Sequence, residues 1–106
     1  MAEVKWTERA TLAKEEILEY GSLKFGERVV KKLYEQFLEA QYQLTHFPFS
    51  GKREPLLEDF EKEYRGVVVH AHYKLVYYFD EAIDVIYITD IWDTRMSPTK
   101  LIRRFR

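Results

Sequence analysis

The chain has 106 residues, 46% of them hydrophobic and 33% charged, and a net charge of −1. That mixture excludes a disordered or fibrous chain, and the lack of cysteine excludes disulfides and thiolate metal sites. The apolar runs fall well short of the ~20 residues that cross a bilayer.

One domain over residues 1–106 is expected. The opening MAEVKWTERA has no apolar signal region, so the expected location is cytoplasmic. Charge is unevenly spread. Residues 1–63 hold 13 acids and 10 bases, whereas Arg95, Lys100, Arg103, Arg104 and Arg106 follow Asp93 with no acid. A basic end on a near-neutral body suits an acidic partner, either nucleic acid or an acidic protein segment. The plainer alternative is a solvated tail.

Glu3–Trp6 reads as a short strand, and Thr7 as the cap of a helix carrying Ala10, Ala13, Ile17 and Tyr20 at helical spacing. Gly21 is expected to end that helix and Ser22 to cap a second one. The second helix has a longer apolar line, Val30, Leu33, Phe37, Ala40 and Leu44, with Lys31, Lys32, Glu35 and Glu39 on its wet side. So short a link makes the pair a helical hairpin. HFPFSGKREP, with Pro48, Gly51 and Pro55, reads as a loop, and LLEDFEKEY as a turn or irregular link.

Three strand-like runs follow: Arg65–Val69, His72–Phe79 and Val85–Trp92. In the last, strict alternation sets Val85, Tyr87, Thr89 and Ile91 against Ile86, Ile88, Asp90 and Trp92. The links at His70-Ala71 and Asp80–Asp84 are short enough to require antiparallel hairpins. Pro98 opens a short last helix with Leu101, Ile102 and Phe105 on its apolar side. The order β-α-α-β-β-β, with a short C-terminal helix, predicts an α+β fold. A helical hairpin packs on one face of a small, mainly antiparallel β-sheet. The opposite face is expected to be an open floor, partly apolar and partly basic.

Candidate chemistry is sparse. His70 and His72 with Asp90 and Asp93 lack the spacing of a metal site, so no metal and no cofactor are expected. Three serines outside any nucleophile elbow do not support a triad. Metal-free RNA cleavage is physically more reasonable. It needs cations around a crowded phosphorane and an acid–base pair. Arg65, Lys74 and Arg95, at or on the three C-terminal strands, are expected to converge on the open face, with His70, His72, Glu81 or a tyrosine as acid or base. The competing reading has Arg95 paired with Asp90 or Asp93, closing a strand end.

The ordered pieces VKWTERA, FGERVVKKL, LTHFPFSGK (an L-x3-P-x2-G loop), YRGVVV, YKLVYYF and VIYITDIWDTRMSP resemble the RelE/ParE toxin superfamily of type II toxin–antitoxin systems. They are most similar to its ParE-like plasmid-stabilisation branch. The resemblance covers about residues 3–98 and implies a bacterial toxin neutralised by a cognate antitoxin. Its ribonuclease branch implies ribosome-dependent mRNA cleavage, with Arg65 and Arg95 the positions that carry over. Yet Asp93 stands where many members have histidine, and no tyrosine or histidine follows Tyr87. The ParE branch implies inhibition of DNA gyrase by binding, with no catalytic set. That is the expectation adopted here, with the ribonuclease as the alternative and a non-toxic interaction protein as a third reading. The partner-binding residues expected are Arg65, Lys74, Trp92, Arg95, Arg103, Arg104 and Arg106.

Overall fold

A computed structural model describes residues 1–70 and 72–106. Its elements are β1 (Glu3–Trp6), α1 (Glu8–Phe25), α2 (Glu27–His46), β2 (Lys52–Arg53), a 3-10 turn (Pro55–Leu57), β3 (Arg65–His70), β4 (Tyr73–Asp80), β5 (Val85–Asp93) and α3 (Pro98–Arg103). Among the described residues, the strands form one five-stranded sheet in the order β1-β5-β4-β3-β2. β1 runs parallel to β5, and every other neighbouring pair is antiparallel. The expected α+β architecture is the observed one. The expected turn at His70-Ala71 involves Ala71, which lies outside the described residues.

The helical hairpin turns five residues later than expected. Gly21 does not end α1; it is buried inside it, where a Cβ would come 3.2 Å from Val30 Cγ2. Its bare backbone lets the two helices approach closely, which offsets the ~1 kcal/mol that glycine costs a helix interior. The break comes at Gly26, whose φ of 90° is open to glycine and strained for other residues. Gly26 N–H donates to Ser22 O and closes the last turn of α1. Thr7 caps α1 as expected, its Oγ1 accepting from Ala10 N–H.

The hairpin lies on one face of the sheet. Leu33, Phe37 and Leu44 from α2 and Ala10 and Ala13 from α1 pack against Leu75, Tyr77, Ile86, Ile88 and Ile91. Leu33, Phe37, Ala40 and Leu44 of the apolar line read along α2 belong to this seam, and Val30 does not.

The other face is not an open floor. Leu57, Val76, Trp92 and Leu101 form a second core, flanked by Leu56, Phe60, Tyr64, Met96 and Phe105. The 3-10 turn, the segment after it and α3 together pack over this face as a roof. The cause is a bulge in β5. Tyr77 pairs with Ile88 but Val76 with Asp90, so Thr89 is the extra residue. Strict alternation therefore fails there. Ile86, Ile88 and Ile91 face the helices, while Tyr87, Asp90 and Trp92 face the roof. The bulge is held on both sides: Thr89 Oγ1 donates to Val76 O, and Thr7 Oγ1 donates to Thr89 O. No helix among the described residues is long and apolar enough to cross a membrane.

Candidate interaction surface

The cations expected to converge are held apart. Arg65 pairs with Tyr77 across β3 and β4, which puts it on the helix side of the sheet. It clamps the Pro48–Gly51 loop there, its Nη1 donating to Gly51 O at 2.8 Å and its guanidinium lying over the Phe49 ring. Tyr77 secures the same loop from beneath. Its hydroxyl donates to Pro48 O and accepts from Gly51 N–H, and its burial raises its pKa. A Cβ on Gly51 would lie 2.7 Å from that hydroxyl, so only glycine fits at the close approach. The P-x-x-G signature thus describes a loop stapled to β3 and β4.

Lys74 pairs with Val68 and Trp92 and points to the roofed face. Its Nζ donates to the buried Glu54 carboxylate at 2.8 Å. Arg95 follows Asp93, the partner of Tyr73. Tyr73 and Tyr77 are four residues apart on β4, so Arg65 and Arg95 are separated by about 13 Å along the sheet as well as by two strands. The expected convergence around one phosphate does not occur, because strand parity and position divide the three cations.

The stretch TDIWDTRMSP resolves into two aspartates with opposite environments. Asp90 is fully buried and accepts from Ile91 N–H, Trp92 Nε1–H and Arg104 Nη2, at 2.8, 3.2 and 2.8 Å. Burial raises its pKa, against the pull of Arg104 and the other donors. Asp93 is near the surface. It accepts two side-chain hydrogen bonds from Arg95, at 3.0 and 2.8 Å, and one from the Arg95 backbone. The Arg95 guanidinium holds its pKa below the usual carboxylate value. The competing reading of Arg95 as an aspartate-paired strand end describes what is found.

Two residues expected on a partner surface are structural. Trp92 is 1% exposed in the second core, and Arg104 is tied to Asp90. Lys100, Arg103 and Arg106 are exposed and make no ion pair among the described residues. His72 lies far from Arg65, its ring 4.5 Å from that of Tyr73 at the open end of the sheet. Among the described residues, no cluster of three His, Asp or Glu side chains is placed to hold a metal ion.

A feature with weak sequence signal is a groove along α1. Three cavities lie in a row. The first, about 330 Å³, lies between the helical hairpin and the adjoining ends of β3 and β4, and is lined by the apolar Ile17, Phe25, Val29 and Leu33 and by the polar Lys32, Gln36, His70 and His72. The second, about 310 Å³, shares Ile17, Tyr20 and Tyr73 with it and reaches Asp93, Arg95 and Arg104. The third shares Ala13, Glu16 and Arg104 with the second and ends at Glu8 and Arg9. Tyr20 belongs to this groove rather than to the core and is 53% exposed. The available signal was the apolar residues of α1 outside its buried line, such as Leu12 and Phe25.

No family model matches the chain, and neither does any curated protein. Solved structures do. A chain of the chromosomal ParDE TA system from P. aeruginosa superposes with a TM-score of 0.67 at 17% identity, over 86% of this chain and 94% of that one. The YoeB/ParE toxin from Agrobacterium tumefaciens gives a TM-score of 0.58 at 18% identity, over 84% of this chain and 94% of that one. At such identities the likeness is one of backbone architecture. By that likeness, the chain has the fold of the RelE/ParE toxin superfamily.

Proposed function

We propose that this chain is the toxin of a type II toxin–antitoxin pair, ParE-like, which inhibits DNA gyrase by binding it and is neutralised by a cognate antitoxin. The observation that carries this reading is the separation of Arg65, Lys74 and Arg95. A ribonuclease without a metal needs its cations around one phosphorane. Here each of the three has a private partner: Gly51 O for Arg65, Glu54 for Lys74 and Asp93 for Arg95. A protein target requires only a complementary surface. The likeness to the ParDE and YoeB/ParE structures supports the toxin assignment and the antitoxin partner.

The exposed bases Lys100, Arg103 and Arg106 suit an acidic antitoxin segment. Charge reversal of Arg103 and Arg106, sparing Arg104, weakens that complex and flattens its salt dependence, since exposed charges are screened. Identical affinities in wild type and variant at low and high salt remove the tail from the interface.

Two parallel assays test the target: DNA supercoiling by gyrase, and mRNA cleavage on translating ribosomes. The expected result is inhibited supercoiling with broken DNA accumulating, and intact mRNA. Codon-spaced mRNA cuts that disappear in Arg65→Ala would establish the ribonuclease in its place.

A further inference from the structure

The bases at the C-terminal end are arranged more regularly than their number suggests. Lys100, Arg103 and Arg106 recur at every third residue. Beyond Leu101 each backbone N–H donates to the carbonyl three residues before it: Arg104 to Leu101, Phe105 to Ile102 and Arg106 to Arg103. That is the 3-10 pattern, in which side chains three positions apart eclipse at a rise of about 6 Å. Arg103 and Arg106 accordingly line one hollow of about 270 Å³, together with Thr99 and Ile102. Lys100 continues the row one turn back, within α3. All three bases are exposed, and none makes an ion pair among the described residues.

We propose that Lys100, Arg103 and Arg106 are a docking row for the phosphate backbone of duplex DNA. A row of eclipsed cations selects a polyanion whose charges repeat at a regular interval. Arginine presents a rigid donor fork that fits phosphate, and Thr99, beside both arginines, adds a neutral hydroxyl donor. The surroundings disfavour a polypeptide as the main occupant. Among the described residues the large exposed apolar side chains all precede the row, the last being Ile83. The apolar side of α3 is turned into the second core through Leu101 and Phe105. A docked peptide would have only exposed charge pairs, which contribute little. DNA releases condensed counterions at each phosphate neutralised. Phe105, the single aromatic residue after Trp92, is engaged edge-on with Phe60, Tyr64 and Trp92. Stacking of an unpaired base is therefore not provided for, and a duplex backbone fits better than a single strand. Glu58, Asp59 and Glu61 flank Phe60 and are exposed, which confines the contact to the row itself. The proposal rests on the reading that the chain acts on gyrase, whose substrate is duplex DNA. An antitoxin segment that covers the row would exclude DNA from it. The test uses neither gyrase nor antitoxin, so either reading can fail while the other stands.

The test is fluorescence anisotropy of the full chain with a labelled duplex DNA of about 20 base pairs, between about 50 and 200 mM salt. Three neutralised phosphates give a log–log slope of about −2.7, so affinity falls about fortyfold over that range. In the double variant Arg103→Gln with Arg106→Gln the slope drops to about −0.9, a fall of about fourfold. Arg103→Lys with Arg106→Lys keeps the slope, because the charges remain. Lys24→Gln with Arg28→Gln, which removes two exposed bases at the turn of the hairpin, keeps it as well. A glutamate-rich peptide of the same net charge as the DNA competes weakly. Duplex RNA binds no more tightly than DNA, since the row meets charge and not sugar. The proposal is overturned by any of five results: no anisotropy change at about 50 mM salt, a wild-type slope retained in the Arg103 and Arg106 glutamine variant, an equal loss in the Lys24 and Arg28 variant, a peptide that competes as well as unlabelled DNA, or tighter binding of RNA.

Discussion

The two faces of the sheet are built by different means. On the helix side, two long helices cover Leu75, Tyr77, Ile86, Ile88 and Ile91 with a continuous apolar seam, and the cluster holds no carboxylate. On the roof side, the cover is a 3-10 turn, the segment after it and a six-residue helix. Two buried carboxylates lie there, Asp90 beneath Arg104 and Glu54 beside Lys74. The first face is held by area. The second has less apolar area and adds a directional tie, which positions a short helix that could not persist alone. This contrast makes the roof the face where a single polar change matters most.

The largest effect is expected on the helix side. Phe37→Ala removes a fully buried ring from the seam and should cost about 3–5 kcal/mol, measured by urea unfolding. A loss below about 1 kcal/mol would mean that the hairpin does not pack on the sheet as described. On the roof side, Arg104→Ala leaves the Asp90 carboxylate buried without its ion partner. The expected cost is about 3 kcal/mol, the low end for a broken buried pair because Arg104 is partly exposed. Amides of α3 should lose hydrogen-exchange protection before those of α2. The pair Asp90→Asn with Arg104→Met should recover most of that loss, since no charge is then left buried. A double variant as unstable as Arg104→Ala would show that the pair contributes through packing.

A smaller effect sharpens the contrast at the loop joining the two faces. Gly51→Ala drives a Cβ into the Tyr77 hydroxyl and the Gly66 carbonyl, at 2.7 and 2.9 Å. The expected cost is about 1–3 kcal/mol from overpacking, and the Arg65 contact to the loop should loosen. Tyr77→Phe in that background should recover part of the loss by making room.

The smallest expected effects are in acid, and the two aspartates should act in opposite directions. Asp93 has a lowered pKa in the fold, so its contribution is present above the usual value of 3.8 and lost as the pH falls through its folded pKa. Asp90 has a raised pKa, so its contribution is fullest below 3.8 and lost as the pH rises through its folded pKa. Carboxyl-carbon NMR titration should place the Asp93 midpoint below 3.8 and the Asp90 midpoint above it. Arg95→Ala should move only the former upward. Midpoints in the reverse order would mean that the surface clamp and the buried tie are misassigned.

The α+β order, the cap at Thr7, the α2 seam and the Pro98 start of α3 were legible in the sequence because each rests on local chemistry. Helical period, a capping hydroxyl and a fixed proline φ act within a few residues. The Asp93–Arg95 clamp was legible for the same reason, since its partners are two positions apart. What tertiary structure decided was every feature that depends on a distant neighbour. Gly21 reads as a helix end until Val30 is seen packed against it, and alternation through β5 holds until Thr89 bulges between Val76 and the Thr7 cap. That one extra residue turns Asp90 and Trp92 to the roof, where Arg104 and Leu101 meet them from a helix formed later in the chain. Period and propensity carry no record of which segments will meet. The parity of the strands set which cations could share a face, and the meeting of α1 with the sheet end opened the groove.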